Sequence, residues 1–276
     1  MPETTRVAVT RHGPKQDHLE KDEDLVAAEE PLEIRVQVRW LETPLAVTMR
    51  TPGDDKALAA GFLLTEGIVH KRDDIVQIGH IEDPERPDAK GNVIQVTLRD
   101  DLELDPKEFT RNVYTTSSCG VCGKATLDAV EVATDPLPPA KRTLDDATLR
   151  TLPDRLRTEQ KLFAATGGIH ATGLFTPEGR LVRLAEDVGR HNAMDKALGA
   201  ALLARELPLN DSIAVVSGRA SFELVQKAAR GGIPFLAAVG APSSLAVSLA
   251  DRLGMTLVGF LREDGYNLYC HPERLA

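Results

Sequence analysis

The chain has 276 residues, 42% of them hydrophobic, and a formal net charge of −9. That apolar content supports a core without disulfides, and a pI near 5.3 excludes non-specific nucleic-acid binding through a broad basic surface. Three cysteines are too few for a disulfide framework and fit a reducing, cytoplasmic setting. Met1–Arg11 holds no apolar h-region, and no apolar run reaches the roughly 18 residues of a membrane helix, so neither secretion nor membrane insertion is expected.

Residues 1–30 are polar, with an acidic cluster at Glu20–Asp24, and read as a solvated arm or a strand with a long lead-in. Alternation then predicts strands over Glu33–Trp40 and Leu45–Thr48. Thr51-Pro52-Gly53-Asp54 opens a helix that turns Ala57, Leu58, Gly61, Phe62 and Leu64 inward and ends at Glu66-Gly67. Strands follow at Ile75–Ile81 and Val93–Leu98, then the cysteine segment and a short helix over Cys122–Val132. Asp135-Pro136-Leu137-Pro138-Pro139 breaks that helix and reads as a linker. A helix over Leu144–Ala164 is expected, with Pro153 as a possible interruption. A hairpin over Ile169–Thr176 and Arg180–Ala185 precedes a helix at Arg190–Arg205.

From there short apolar strands (Ser212–Val216, Phe235–Val239, Thr256–Leu261) alternate with helices (Ser221–Arg230, Ser243–Leu253), which implies parallel pairing by right-handed crossovers. The fold class is therefore α/β. Parallel strands fill the C-terminal part, 140–276, and a smaller mixed α/β part, 31–134, ends in the cysteine loop and its helix.

In an open parallel sheet, ligands bind beyond the C-terminal strand ends. Three such ends carry distinctive loops: Ser217-Gly218-Arg219, Gly240-Ala241-Pro242-Ser243 and Arg262-Glu263-Asp264-Gly265. The first two sit at helix N-termini, which favour anions, and Arg219 and Arg262 suit phosphate. Gly167-Gly168-Ile169-His170 is a further glycine-rich entry, and no Walker loop or dinucleotide fingerprint is present. Glu186-Asp187-Val188-Gly189-Arg190-His191-Asn192 is the densest in chemistry: Asp187 can cap the following helix, and His191 can pair with Asp195 at i,i+4.

The remaining motif is Ser117-Ser118-Cys119-Gly120-Val121-Cys122-Gly123-Lys124. Two thiols at this spacing can share a metal, cycle through a disulfide or pass sulfur, and Lys124 with a helix N-terminus would favour thiolate. Zinc would need more ligands than the cysteines supply, and the deaminase zinc signature is absent, with no H-x-E and Ser118 in place of proline. Sulfur transfer asks least: one nucleophilic thiol to hold a persulfide and a second to help release it.

Together with Thr166–His170, Glu186–Lys196, Ser217–Glu223 and Ala241–Ala246, in that order, the cysteine motif resembles the successive signatures of the formate dehydrogenase accessory sulfurtransferases, the FdhD family. The resemblance runs from about Glu30 to the C-terminus. It implies a three-layer core similar to cytidine deaminases without a resident metal. It also implies a sulfurtransferase that takes persulfide sulfur from a cysteine desulfurase and delivers it to the molybdenum bis(molybdopterin guanine dinucleotide) cofactor of formate dehydrogenase. By position Cys119 would carry the persulfide and Cys122 would assist, while Phe260, Leu261, Arg262, Glu263, Asp264 and Gly265 would contact the cofactor's guanine nucleotide portion. Arg219, Gly168, His170 and His191 are further candidate contacts, and a homodimer is implied. Two rivals stay open: a cofactor-binding chaperone whose C-x-x-C is a redox latch, and a zinc hydrolase on the same fold.

Overall fold

A computed structural model describes residues 1–12, 20–83, 87–102, 134–139 and 143–276. The cysteine motif and the helix expected over Cys122–Val132 lie outside the described residues. Element labels below run through the described residues.

Where a polar arm is expected, β1 (Thr4–Arg11) and β2 (Glu20–Ala27) form an antiparallel ribbon, with Thr4 opposite Ala27 and Arg11 opposite Glu20. Its polar side chains offset one another, as where Arg11 lies 2.7 Å from Asp22. Such exposed pairs contribute little, so the ladder of backbone bonds defines the ribbon.

A four-stranded sheet follows, in the order β4 (Leu41–Arg50), β3 (Glu30–Val38), β6 (Val93–Leu98), β5 (Ile75–His80), with β3 and β6 parallel. Period-two alternation buries Leu32, Ile34 and Val36 on one face. Helix α1 (Asp55–Thr65) packs on that face and is buried nearly all round, because a second helix covers its other side.

That second helix belongs to the six-stranded sheet, ordered β12 (Gly265–Cys270), β11 (Thr256–Arg262), β10 (Phe235–Ala238), β9 (Ile213–Val216), β7 (His170–Phe175), β8 (Leu181–Asp187). β9, β10 and β11 are parallel, as their alternation with helices implies. β7 runs antiparallel to both β8 and β9, and β12 antiparallel to β11. Strand β12 has no counterpart in the sequence reading, since Gly265–Cys270 lacks an apolar run. One face of this sheet packs against α2 (Asp146–Glu159) through Leu149, Leu152 and Leu156. The other packs against α4 (Arg190–Leu203), α5 (Phe222–Arg230) and α6 (Ser244–Leu253).

The single helix expected over Leu144–Ala164 is two, α2 and the short α3 (Lys161–Thr166). Pro153 sits within α2 without ending it; the break is at Gln160, whose ψ of 84° leaves the helical region. The Asp135–Pro139 stretch is docked, with Leu137 N donating to Leu253 O at 2.8 Å and Arg274 donating to Pro138 O at 3.2 Å.

The two sheets share one apolar core, joined where α1 crosses α4. Gly61 and Gly199 lie at the crossing, and a Cβ on either would overlap a backbone carbonyl of the facing helix, that of Asp195 or Ala57. Only glycine permits that separation. Gly199→Ala is expected to lower stability by about 2 kcal/mol or more, a fall in Tm of roughly 4–8 °C. A thermal melt that matched wild type would refute the close crossing.

Candidate functional site

An antiparallel β7 beside parallel β9 changes what the strand-end edge contains. The first residues of β7 lie next to the last residues of β9: Ser217 N donates to Ala171 O at 3.0 Å, and Ala171 N donates to Ser217 Oγ at 2.9 Å. His170 in turn pairs with Asp187 at the end of β8. The next two strand ends continue the edge, with Gly240 N donating to Gly218 O at 2.9 Å and Phe260 N to Gly240 O at 3.1 Å. Gly168, His170, His191, Arg219 and Phe260, more than ninety residues apart at the extremes, are thus gathered along one edge.

Local chemistry explains how each is held. Glu186 accepts from the N–H groups of Leu162 and Phe163 at 3.0 and 2.9 Å, which anchors the start of α3. Gly167 then ends that helix in the left-handed region at φ 68°, bringing Gly168 to the edge. Asp187 is fully buried (0% exposed). It does not act as the N-cap of α4, a position held by Gly189. Instead its carboxylate accepts from Gly189 N (2.8 Å), Asn192 Nδ2 (3.0 Å) and Thr51 N (3.2 Å), and lies 2.8 Å from Lys196 Nζ.

The expected His191–Asp195 pair does not form, because the two side chains face different neighbours. Asp195 is buried against Lys227 at 2.8 Å and Thr65 at 2.9 Å, whereas His191 Nε2 lies 2.9 Å from Glu223 Oε2 and 3.2 Å from Ser221 Oγ. Burial opposes charge on Glu223, but the His191 hydrogen bond and the fields of His191, Arg190 and Lys227 prevail and hold its carboxyl below the usual range. His170 shifts the other way: burial first, then Arg190 and His191, lower its pKa despite the pull of Asp187. The sequence reading includes Glu223 only as the end of the Ser217–Glu223 signature, with no role of its own, and does not single out Gln160. Glu223 meets its histidine partner only across the fold, and Gln160 reads as an ordinary helical residue.

The helix N-termini at the edge differ. Ser243 caps α6, accepting from Ala246 N at 3.2 Å, whereas Ser221 makes no side-chain cap at α5 and faces His191 and Glu223 instead.

Arg262-Glu263-Asp264-Gly265 is the turn of the β11–β12 hairpin rather than an open loop, with Arg262 paired to Gly265. Just before it, Phe260 adopts φ 54° and is 41% exposed, at an irregularity in the ladder. A Cβ on the neighbouring Gly259 would stand 2.7 Å from Pro242 Cδ, so glycine is needed for β11 to lie against that loop. Leu261 points into the α2-side core at 0% exposure, so only its backbone can face a ligand. Arg219, Arg262, Glu263 and Asp264 are exposed. Beside the edge, between α2–α3 and the sheet, is a cavity of about 570 Å³ whose lining includes Arg157, Gln160, Phe163, Gly168, His170 and Ser217. Cys119 and Cys122 lie outside the described residues.

A family model described as FdhD/NarQ matches residues 27–276. The chain belongs to that family. It is 52% identical over 258 residues to the sulfur carrier protein FdhD of Streptomyces avermitilis, covering 92% of this chain and 89% of the relative. The protein of the same name from Mycobacterium tuberculosis is 49% identical over 271 residues, covering 94% and 96%, and that of Saccharolobus solfataricus 41% over 261 residues, covering 95% of each. Among solved structures, one described as a formate dehydrogenase accessory protein from Desulfotalea psychrophila superposes with a TM-score of 0.78 at 29% identity, covering all of both chains. The matched span, residues 27–276, agrees with the resemblance read from about Glu30 to the C-terminus. The mixed α/β architecture with parallel strands agrees with the fold class read from the sequence. No helix among the described residues is long and apolar enough to cross a membrane.

The lowered pKa of His170 has a definite sign for stability. The unfolded chain takes up a proton near the ordinary value of 6.5 and the folded chain only at lower pH. The contribution is therefore whole above 6.5 and is lost as pH falls from there towards the folded value. Urea unfolding between about pH 7.5 and 5 should show a shallower loss in His170→Gln than in wild type; equal slopes would remove His170 as the source.

Proposed function

We propose that this protein is a sulfurtransferase that carries sulfur as a persulfide on Cys119. In this reading it passes the sulfur to molybdenum bis(molybdopterin guanine dinucleotide) before that cofactor enters formate dehydrogenase. The reading rests on one observation above the rest: in a chain of this family, the signature segments around Gly168–His170, Asp187–His191, Ser217–Arg219 and Phe260 gather at one strand-end edge, where exposed Arg219 suits a phosphate group and Arg262 follows in the adjoining turn. The cofactor is the substrate here, held by its nucleotide portion. We also assign the core to the cytidine deaminase type, on the strength of a mixed sheet with α2 on one face and α4, α5 and α6 on the other.

The chemistry follows from thiol exchange. Cys119 thiolate, favoured by Lys124, attacks the outer sulfur of a cysteine desulfurase persulfide. It becomes Cys119–S–SH and releases the desulfurase thiolate. Cys122 thiolate then attacks the inner sulfur, closing a Cys119–Cys122 disulfide and freeing hydrosulfide for the cofactor. A thiol reductant reopens the disulfide. The partners are thus a cysteine desulfurase and formate dehydrogenase, the setting is the cytoplasm, and the working unit is a homodimer.

Incubation with a cysteine desulfurase and cysteine is expected to add one sulfur atom, removable by reductant and mapped to Cys119 by intact-mass spectrometry. Cys119→Ser should abolish that gain; full loading in the variant would sink the assignment, and no loading of wild type would favour a cofactor-binding chaperone. Arg262→Ala should weaken calorimetric binding of guanosine diphosphate by about tenfold while sulfur loading is unchanged. Unaltered binding would take Arg262 out of the cofactor contact.

A further inference from the structure

The last residues of the chain form a hook against the C-terminal end of α6. After β12 the backbone turns at His271, in the left-handed region at φ 54°, into one turn of 3₁₀ helix at Pro272–Arg274. A non-glycine residue stays in that region only where its surroundings hold it. Thr256 Oγ1 of β11 donates to His271 O at 2.6 Å, and Arg274 Nη1 donates to Thr256 Oγ1 at 3.3 Å.

Two passing segments are fastened to this hook. Arg274 Nη2 donates to Pro138 O at 3.2 Å, while Leu144 N donates to Arg274 O at 2.8 Å and Ala276 N donates back to Leu144 O at 3.0 Å. Beside it Leu137 N donates to Leu253 O at 2.8 Å. Asp135–Pro139 is thus a strap, docked on the hook and on the end of α6, where the described chain resumes after the cysteine motif.

The His271 side chain closes the hook onto α6, and both of its ring nitrogens face acceptors. Nδ1 lies 2.9 Å from Glu273 Oε1; Nε2 lies 2.9 Å from Asp251 O and 3.6 Å from Asp251 Oδ1. An ionised carboxylate and a carbonyl only accept, so the doubly protonated imidazolium alone satisfies both contacts. The neutral ring must turn a lone pair towards one of them. The negative end of the α6 dipole favours the same charge.

The charged groups around the ring are Asp251 from α6, Glu273 from the hook, and Arg274, whose Nη1 is 4.0 Å from Glu273. Thr256 of β11 does not titrate, and the Cys270 thiol at the end of β12 is pushed up to about 11, chiefly by burial. His271 is therefore the group here that changes charge near neutral pH. Its side chain is 26% exposed, so solvent protons reach it. The bond to Asp251 O, with Glu273 adding to it against some burial, raises its pKa above 6.5. The contribution to stability is whole below 6.5 and is lost as pH rises through the folded value.

We propose that His271 is a pH-sensitive latch: as an imidazolium it bridges Asp251 O and Glu273 and clamps the strap to the end of α6, and on losing its proton it opens one bridge and loosens the strap. The latch sets how firmly the chain is held on its return from the cysteine motif, and it stands apart from the persulfide reading.

Amide hydrogen exchange at Leu137 and Leu144, followed by NMR on the full chain from about pH 5.5 to 8.5 and corrected for the intrinsic rate, tests it. Protection at both amides should fall roughly tenfold as pH rises, with a midpoint above 6.5 shared by the His271 ring resonance. Amides of β9 should keep their protection. His271→Gln, which carries no charge, should show the high-pH protection throughout. Glu273→Gln keeps an acceptor in place without its charge and should move the midpoint to lower pH. Flat protection in wild type, a midpoint that the ring resonance does not share, or a matching fall in β9 overturns the proposal. So does a fall that persists in His271→Gln, or an unmoved midpoint in Glu273→Gln, and the latter decides if His271→Gln does not fold.

Discussion

The buried carboxylate of Asp187 is the constraint on which the edge depends. A fully buried charge must be paired and hydrogen-bonded, and breaking such a pair leaves the other charge stranded at a cost of about 3–5 kcal/mol. Asp187 meets that demand from three directions: Lys196 from within α4, Asn192 and Gly189 from the turn that opens α4, and the Thr51 N–H from the turn after β4. The same groups reach further. Lys196 Nζ donates to Thr51 O at 2.9 Å, Asn192 Nδ2 donates to Met49 O at 2.7 Å, and Val188 N donates to Thr51 Oγ1 at 3.2 Å. The β8–α4 junction and the β4–α1 turn are thereby one object, and His170, which pairs with Asp187, is positioned by it.

The same economy of buried charge recurs one and two turns along α4. Asp195 is wholly enclosed, and burial raises its pKa even with Lys227 and Thr65 in contact. Lys227 comes from α5 and Thr65 from the end of α1, so this second polar contact joins three helices at the level where Gly61 and Gly199 let α1 and α4 approach. Small residues set the distance and paired charges set the register. The core on either side is aliphatic and tolerates sliding far better than a paired charge does.

Because the edge is assembled from rigid pieces, its electrostatics are defined before any ligand arrives. Glu223 is held as carboxylate by His191, whereas His170 nearby favours the neutral form. The site therefore combines a carboxylate hydrogen-bonded to His191, an imidazole at His170 that favours the neutral form, and exposed guanidinium groups within a few strand ends. Phe260, in the left-handed region and well exposed, adds an aromatic surface at the far side. A bulky residue held at positive φ costs roughly 1–2 kcal/mol, and Phe260 bears it at the irregularity of the β11–β12 ladder.

Periodicity and punctuation alone determined the helices from Arg190 onward, the parallel strands between them and the β7–β8 hairpin, because each is a local pattern of apolar spacing, caps and turns. Ordered motifs along the chain were enough to point to the family. Tertiary structure decided the rest. That β7 enters the sheet antiparallel beside β9, so that His170 meets the ends of parallel strands, depends on pairing between segments some forty residues apart. That His191 chooses Glu223 over Asp195, that Leu261 faces the core, and that Gln160 ends a helix against a cavity depend on which side of an element is covered, and by what. Local spacing specifies faces; only packing assigns each face its neighbour.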